Sequence, residues 1–274
     1  MTLSIVIVSF NARADLENCL ASLATPPPRV PHDVVVVDNA SSDGSVAAVR
    51  TRFPSVRVVV QPRNTGFSAA NNVGIRATTG QLILLLNSDT IVPAGAVDVL
   101  VDRLLSHADA AVAGPRLVDA TGLAELSFGP MISPLAEARQ RVLMALHTRR
   151  FGPVTSWVER ATRRERFVDW VSGACLLVHR SDADAVGLLD ERYFLYTEDV
   201  DFCAAVRGRG RKILFTPEAQ VTHLRGRSRA TVADRMNAAY RRSQLAFYQK
   251  HHPRWVPVLR AYLAIRGHLS PPEP

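Results

Sequence analysis

Short β-branched runs alternate with stretches of helical length through the first half of the chain. Residues 3–9, 33–38, 56–61, 81–86 and 110–113 read as strands, and 12–24, 44–53, 67–78 and 94–107 as the helices between them. Such alternation predicts an α/β fold, a mostly parallel sheet flanked by helices. The run 82–86 is apolar at every position, as a strand buried on both faces requires. The prolines within 26–31 remove backbone donors and fix the backbone, so that segment reads as a loop. From about residue 127 to 166 the strand rhythm fails. A helix candidate at 135–149 and an arginine-rich stretch take its place, which reads as an insertion or mobile lid. Order resumes with a strand at 173–179, a helix at 199–209, a strand at 212–215, a long helix at 231–251 and a last helix at 255–265. This divides the chain into a domain over 1–225 and a basic helical C-terminal extension over 226–274.

Composition supports a folded core and locates the charge. The 274 residues suit one large domain, and 47% hydrophobic content is enough to fill it. Cys19, Cys175 and Cys203 match neither a disulfide framework nor a metal cluster, and read as buried small residues in a reducing compartment. The N-terminus has no basic segment before its first strand, and no apolar run reaches the roughly 18–20 residues of a membrane span. Together these predict a cytoplasmic protein. The net charge of +8 lies wholly in residues 225–274, where ten Arg and Lys face two acids; the first 224 residues carry 23 of each sign. A basic tail is steered to an anionic membrane surface or a pyrophosphate-bearing acceptor, or is simply a solvated helix face. The candidate helix 255–265 mixes apolar and arginine positions, so it either lies on a membrane surface or packs back on the domain.

Ligands in open α/β sheets collect beyond the carboxyl ends of the strands, so the polar residues there carry the candidate chemistry. Asp89, in Asn87-Ser88-Asp89, ends a buried strand, where an acid is costly unless its charge is used, as by a Mg²⁺ or Mn²⁺ ion bridging a diphosphate. The alternative is a cap for the next helix. Asp38 and Asn39 close the second strand, and Asp38 suits a pyrimidine N–H. Arg63, Asn64 and Gly66, with Asn71 in the helix that follows, predict a phosphate-binding helix start. Neither the dinucleotide fingerprint nor a Walker loop occurs. Glu198-Asp199 with Asp201 lies among Tyr193, Phe194, Tyr196 and Phe202, a setting that raises a carboxyl pKa toward a general base; a helix N-terminus favouring acids is the plainer account. His223 becomes a metal ligand only if folding brings it to Asp89.

In this order the motifs resemble family 2 glycosyltransferases of the GT-A fold, especially the rhamnosyltransferase-like branch. The resemblance rests on residues 5–11, 37–44, 64–67, 86–89, 172–174, 197–201 and 223–228. It implies that Ser9, Asn11 and Asp38 surround the base and ribose of a dTDP- or UDP-sugar, with Asn39, Arg63, Asn64, Gly66, Asn71, Asn87 and Ser88 on the same nucleotide-sugar side. Asp89 and His223 would hold the metal, Asp199 would be the base with Glu198 positioning the site, and Trp170, Ser172 and Gly173 would line the acceptor side. It implies an inverting transfer, with L-rhamnose from dTDP-rhamnose as the donor sugar and galactofuranose, N-acetylglucosamine or glucose as alternatives. The acceptor would be a cell-envelope glycan or polyprenyl-diphosphate-linked saccharide. Asn87 replaces the first Asp of the usual Asp-x-Asp triplet, leaving more of the metal binding to Asp89 and His223. A non-catalytic sugar-nucleotide-binding protein on the same fold is the competing reading. Nucleic acid is not expected, since the tail's aromatics are not spaced as a stacking platform.

Overall fold

A computed structural model describes residues 1–224 and 233–266. Its frame is a sheet in the order β3-β2-β1-β4-β10-β6-β11-β5. Strand β1 is Leu3–Ser9, β2 His32–Asp38, β3 Arg57–Val60, β4 Leu82–Asn87, β5 Thr90–Ile91, β6 Ala110–Val118, β10 Cys175–His179 and β11 Lys212–His223. The first four are parallel, β10 runs antiparallel to β4 and β6, and β11 is parallel to β6. The sheet is therefore parallel on one side of β4 and mixed on the other.

Alternation along the strands builds two cores. Leu3, Ile5 and Ile7 face the helices α1 (Arg13–Ala24), α2 (Ser45–Arg52) and α4 (Ala96–Leu105). Val6, Val35 and Val37 face the other layer, formed by α3 (Phe67–Arg76), α7 (Arg180–Ala185), α8 (Glu198–Gly208), α9 (Ala233–His251) and α10 (Val256–Ile265). Helix α3 comes very close to the sheet at Gly74. A Cβ there would sit 2.3 Å from Val6 and 3.1 Å from Val37, so Gly74 serves packing. Gly74→Ala is expected to cost about 1–3 kcal/mol, as overpacked cores do. A thermal melt would register it as a lower Tm, by roughly 2–4 °C per kcal/mol.

Two strands outlast their sequence signals. The run expected at 110–113 continues through Gly114 and Pro115 to Val118, and the one at 212–215 continues to His223. Register shifts between Thr216 and Gln220 absorb Pro217, because a bulge tolerates the residue a regular ladder excludes. This extension brings His223 opposite Thr90 on β5, next to Asp89.

The segment expected as an insertion holds more order than its composition suggests. It contains β7 (Phe128–Gly129), α5 (Pro134–Thr148) and α6 (Gly152–Ala161), followed by β8 (Arg166–Val168) on β11 and β9 (Trp170–Val171) on β7. Ser133 caps α5 by accepting from the Ala136 N–H, with Pro134 in the first turn where its missing donor costs nothing. Glu137 ties α5 to α9: Tyr240 and Tyr248 donate to its carboxylate at 3.0 and 2.9 Å, and Gln244 at 2.5 Å. The arginine-rich stretch following α5 folds as α6, which the sequence reading left without an element.

Helix α10 packs back on the domain through the buried Leu259 and Leu263, while Trp255, Val258, Tyr262 and Ile265 are exposed. The three cysteines are buried thiols, and burial pushes Cys19 and Cys203 up to about 12. Among the described residues no helix is long and apolar enough to cross a membrane. The motif residues 225–228, the expected helix start at 231 and the final residues from 267 lie outside the described residues.

Candidate active site

Ser9 and Asp38 are paired in register, and Asn87 lies beside Val8, so three polar groups share the carboxyl edge of the parallel strands. Asp38 accepts from the Ser41 N–H through Oδ2, while its buried Oδ1 and the buried Ser9 Oγ have no hydrogen-bond partner among the described residues. An unpartnered buried oxygen is costly unless a ligand supplies the missing bond. Asn11 has a left-handed φ of 49° and accepts from the Ser42 N–H at 2.8 Å, which joins the loops after β1 and β2.

The phosphate-binding helix start takes a different form. The Thr65 N–H donates to Asn39, the Gly66 N–H to Asn64 and the Phe67 N–H to the Phe194 carbonyl. Three successive amides that the sequence reading offered to a phosphate are thus engaged inside the protein. Asn39 also donates to Asn64 and the Gly66 carbonyl, and Asn71 donates back to Phe67. These asparagines shape the loop, and Arg63 is exposed upon it. A Cβ at Gly66, whose φ is 89°, would meet the Phe194 carbonyl at 2.6 Å, so only glycine fits.

A cavity of about 540 Å³ opens beside this edge, lined by Asn87, Asp89, Trp170, Ser172, Gly173, Glu198, Asp199 and His223. None of Ser9, Asn11, Asp38, Asn39, Arg63, Asn64, Gly66, Asn71 or Ser88 lines it. Asn87 is the donor-side candidate that lines it.

Asp89 and His223 meet there with Oδ1 3.3 Å from Nε2. Helix α4 begins at Ala96 with Gly95 at its cap, so Asp89 does not cap it. On the other side of the ring, Nδ1 lies 3.3 Å from Oε2 of the buried Glu125. Burial opposes a charged imidazole, but hydrogen bonds to Asp89 and Glu125 outweigh it and hold His223 above its ordinary pKa. Sequence reading missed Glu125. Its signal was an acid within the short apolar stretch 123–128, far in sequence from any motif.

The acids of α8 are presented by two consecutive left-handed residues, Tyr196 at φ 71° and Thr197 at φ 66°. Neither is glycine, so this turn carries backbone strain at the cavity wall. Asp199 accepts from the Gly173 N–H through Oδ2 and the Val200 N–H through Oδ1, both at 2.8 Å. A Cβ at Gly173 would stand 3.2 Å from that of Asp199, so Gly173 positions the acid as well as lining the cavity. Asp201 turns away from the cavity. It is buried against Tyr193, Lys250 and His251, and fastens α8 to α9. Trp170 donates to the Pro130 carbonyl at 2.9 Å, which fixes the ring in the wall.

Burial, and then the charge of Asp199, hold Glu198 well above the ordinary carboxylate range. Glu198 therefore binds its proton more tightly than an ordinary glutamate. A folded-state pKa above the unfolded value of 4.5 makes this group's contribution full below that pH and lost as pH rises through the folded value. Glu198→Gln is therefore expected to match the wild-type Tm near pH 4 and exceed it by a few degrees at pH 7–8. Melts across that range would show it.

Residues 4–159 match the profile described as glycosyl transferase family 2. An N-acetylglucosaminyl-diphospho-decaprenol L-rhamnosyltransferase of Mycobacterium tuberculosis is 32% identical, over 97% of this chain and 92% of its own. Among solved structures, a mannosyltransferase from Pyrobaculum calidifontis in complex with GDP-Man and Mn²⁺ aligns with a TM-score of 0.61 at 17% identity, over 95% of this chain and 68% of that one. GalNAc-T7 with UDP, GalNAc and Mn²⁺ aligns with a TM-score of 0.64 at 18% identity, over 89% and 48%. The two structures share the fold, and the match over more than half of the sequence, with a near full-length relative, settles membership: this chain belongs to glycosyl transferase family 2.

Proposed function

We propose that the chain transfers L-rhamnose from dTDP-L-rhamnose to a hydroxyl of a polyprenyl-diphosphate-linked saccharide, with a divalent metal. The observation that carries this reading is the convergence of Asp199 and the Asp89–His223 pair on one cavity at the carboxyl edge of the sheet. The similarity of the mycobacterial rhamnosyltransferase supports the choice of sugar and acceptor. Asp199 accepts the proton of the acceptor hydroxyl as its oxygen bonds to the anomeric carbon and the bond to the nucleotide diphosphate breaks, which inverts that centre. Glu198 positions the pair. Ser9 and Asp38 hold the nucleoside, and the unpartnered Asp38 Oδ1 suits a base N–H.

The residues fit a divalent ion. Asp89 offers a hard oxygen, and the Glu125 contact at Nδ1 leaves His223 Nε2 directed at Asp89. Asn87 adds a buried amide oxygen without a hydrogen-bond partner among the described residues. Among the described residues no group of three or more His, Cys, Asp and Glu forms a complete cage. Diphosphate oxygens and water would complete the set, as Mg²⁺ and Mn²⁺ permit. When bound, the ion neutralises charge on the leaving diphosphate. Mn²⁺ is the better match to a site with an imidazole donor. The protein works at the membrane that holds its acceptor, and the basic tail and the exposed apolar residues of α10 favour peripheral contact with anionic lipid.

Thermal-shift titration with dTDP, UDP, ADP and NAD, each with and without Mn²⁺ or Mg²⁺, tests the reading. A metal-dependent rise in Tm with dTDP above the others is expected. A UDP preference would move the donor to a UDP-sugar, and no pyrimidine response would return the chain to a non-catalytic role.

A further inference from the structure

Helix α5 separates two cavities. Glu137, Gln140, Arg141 and Met144 face the active-site cavity, whereas Ala136, Arg139, Gln140 and Leu143 face a second one of about 330 Å³. Each set repeats at i, i+3, i+4 and i+7, so the two are neighbouring stripes of one helix. Gln140 and Leu126 line both cavities and form a wall common to the two. The second volume lies in the range of roughly 300–1,000 Å³ usual for ligand sites. Its largest walls are apolar: Phe128, Leu143, Trp157 and Phe167. Trp157 and Phe167 are 38% and 46% exposed, so the groove opens to solvent between aromatic rings. Leu135 and Val142, 85% and 59% exposed, continue the apolar surface along α5 beside Arg139 and Leu143.

Two cations flank the junction. Arg141 lines the active-site side and pairs with Glu137 at 2.6 Å. Arg139 lines the groove side and makes no ion pair among the described residues. The order along this path is thus catalytic acid, cationic junction, apolar groove, aromatic mouth.

We propose that the second cavity holds the first part of the hydrocarbon chain of a diphosphate-linked lipid acceptor, with the diphosphate at Arg141 and the sugar reaching Asp199. The proposal rests on the lipid-linked acceptor of the preceding section and places its tail. A head of two charges between a sugar and an apolar chain repeats the sequence of surfaces found here. The wall residues Leu126 and Gln140, shared with the active-site cavity, favour that occupant over a second copy of the chain.

Titration calorimetry on the full chain, without divalent metal, tests it with farnesyl diphosphate, inorganic diphosphate and farnesol. Farnesyl diphosphate is expected to bind at least tenfold more tightly than inorganic diphosphate. Leu143→Gln should remove that preference and Leu143→Met retain it, with circular dichroism confirming the fold. Should Leu143→Gln fail to fold, Phe167→Ala at the open mouth provides the same comparison. Equal affinities for the two diphosphates, or a preference that neither Leu143→Gln nor Phe167→Ala alters, would overturn the assignment. So would a concentration-dependent dimer that excludes farnesyl diphosphate, which would give the groove to a second copy. A dTDP titration of the same preparation with Mn²⁺ added separates the failures: a dTDP response without lipid preference removes the groove alone, and no nucleotide response removes the transferase reading beneath it.

Discussion

Asp199→Asn lowers kcat for sugar transfer by roughly 10²–10⁴-fold, the span expected when a positioned general base is lost, and leaves the dTDP-induced rise in Tm in place. The amide keeps the volume of the side chain and one acceptor oxygen. It cannot accept from both the Gly173 and the Val200 N–H as the carboxylate does, so one of those donors faces an NH₂ group. A small stability loss, about 1 kcal/mol, accompanies the change. Steady-state kinetics with dTDP-rhamnose and a lipid-linked acceptor measure the first effect, and a melt measures the second. Near wild-type turnover in the folded variant would move the base elsewhere, with Glu198 the next candidate on the cavity wall, since Asp201 is committed to Lys250 and His251.

The second large effect is on the metal. Asp89→Ala should weaken Mn²⁺ binding in the presence of dTDP by at least about 100-fold, because it removes the proposed oxygen donor. Glu125→Gln is the instructive comparison. It retains the shape of the group behind His223 but removes its charge, and should cost about 10–100-fold, the usual effect of losing an outer-shell partner. Electron paramagnetic resonance of free Mn²⁺ reads both without turnover. A Glu125→Gln variant that bound Mn²⁺ as the wild type does would mean that the ring is held by its place on β11 alone.

The parallel strands and their carboxyl-edge residues were legible in the sequence because a buried strand writes its whole length in apolar residues, as 82–86 does before Asn87-Ser88-Asp89. Elements held by partners distant in the chain were not. Strand β11 passes Pro217 only because β6 is alongside it, and the helical spacing of Val154, Trp157, Val158 and Ala161 in α6 is masked by Gly152-Pro153 and the arginines around it. The same limit applies at the site. Asp199 stood out beside aromatic residues in its own segment. Glu125 acquires meaning only when β5 and β11 bring Asp89 and His223 together beside it. Asn39 and Asn64 carried the right composition for a ligand loop, yet their amides hold the loop itself, a distinction that hydrogen-bond geometry makes and composition does not.

That loop does not stand alone. The Phe67 N–H donates to Phe194, Ser68 to Tyr193, and Asn72 to both Leu189 and Glu191, so the segment after β3 and the segment before α8 are laced together through α3. The two do not behave as interchangeable modules. A chimera that imports residues 61–76 from a relative in order to change the donor inherits a mismatched seam against its own residues 187–199, and misplaces Asp199, the proposed base, without altering it. Recombination within this family should tolerate crossovers in the loop ahead of α4 far better than any junction that parts these two segments.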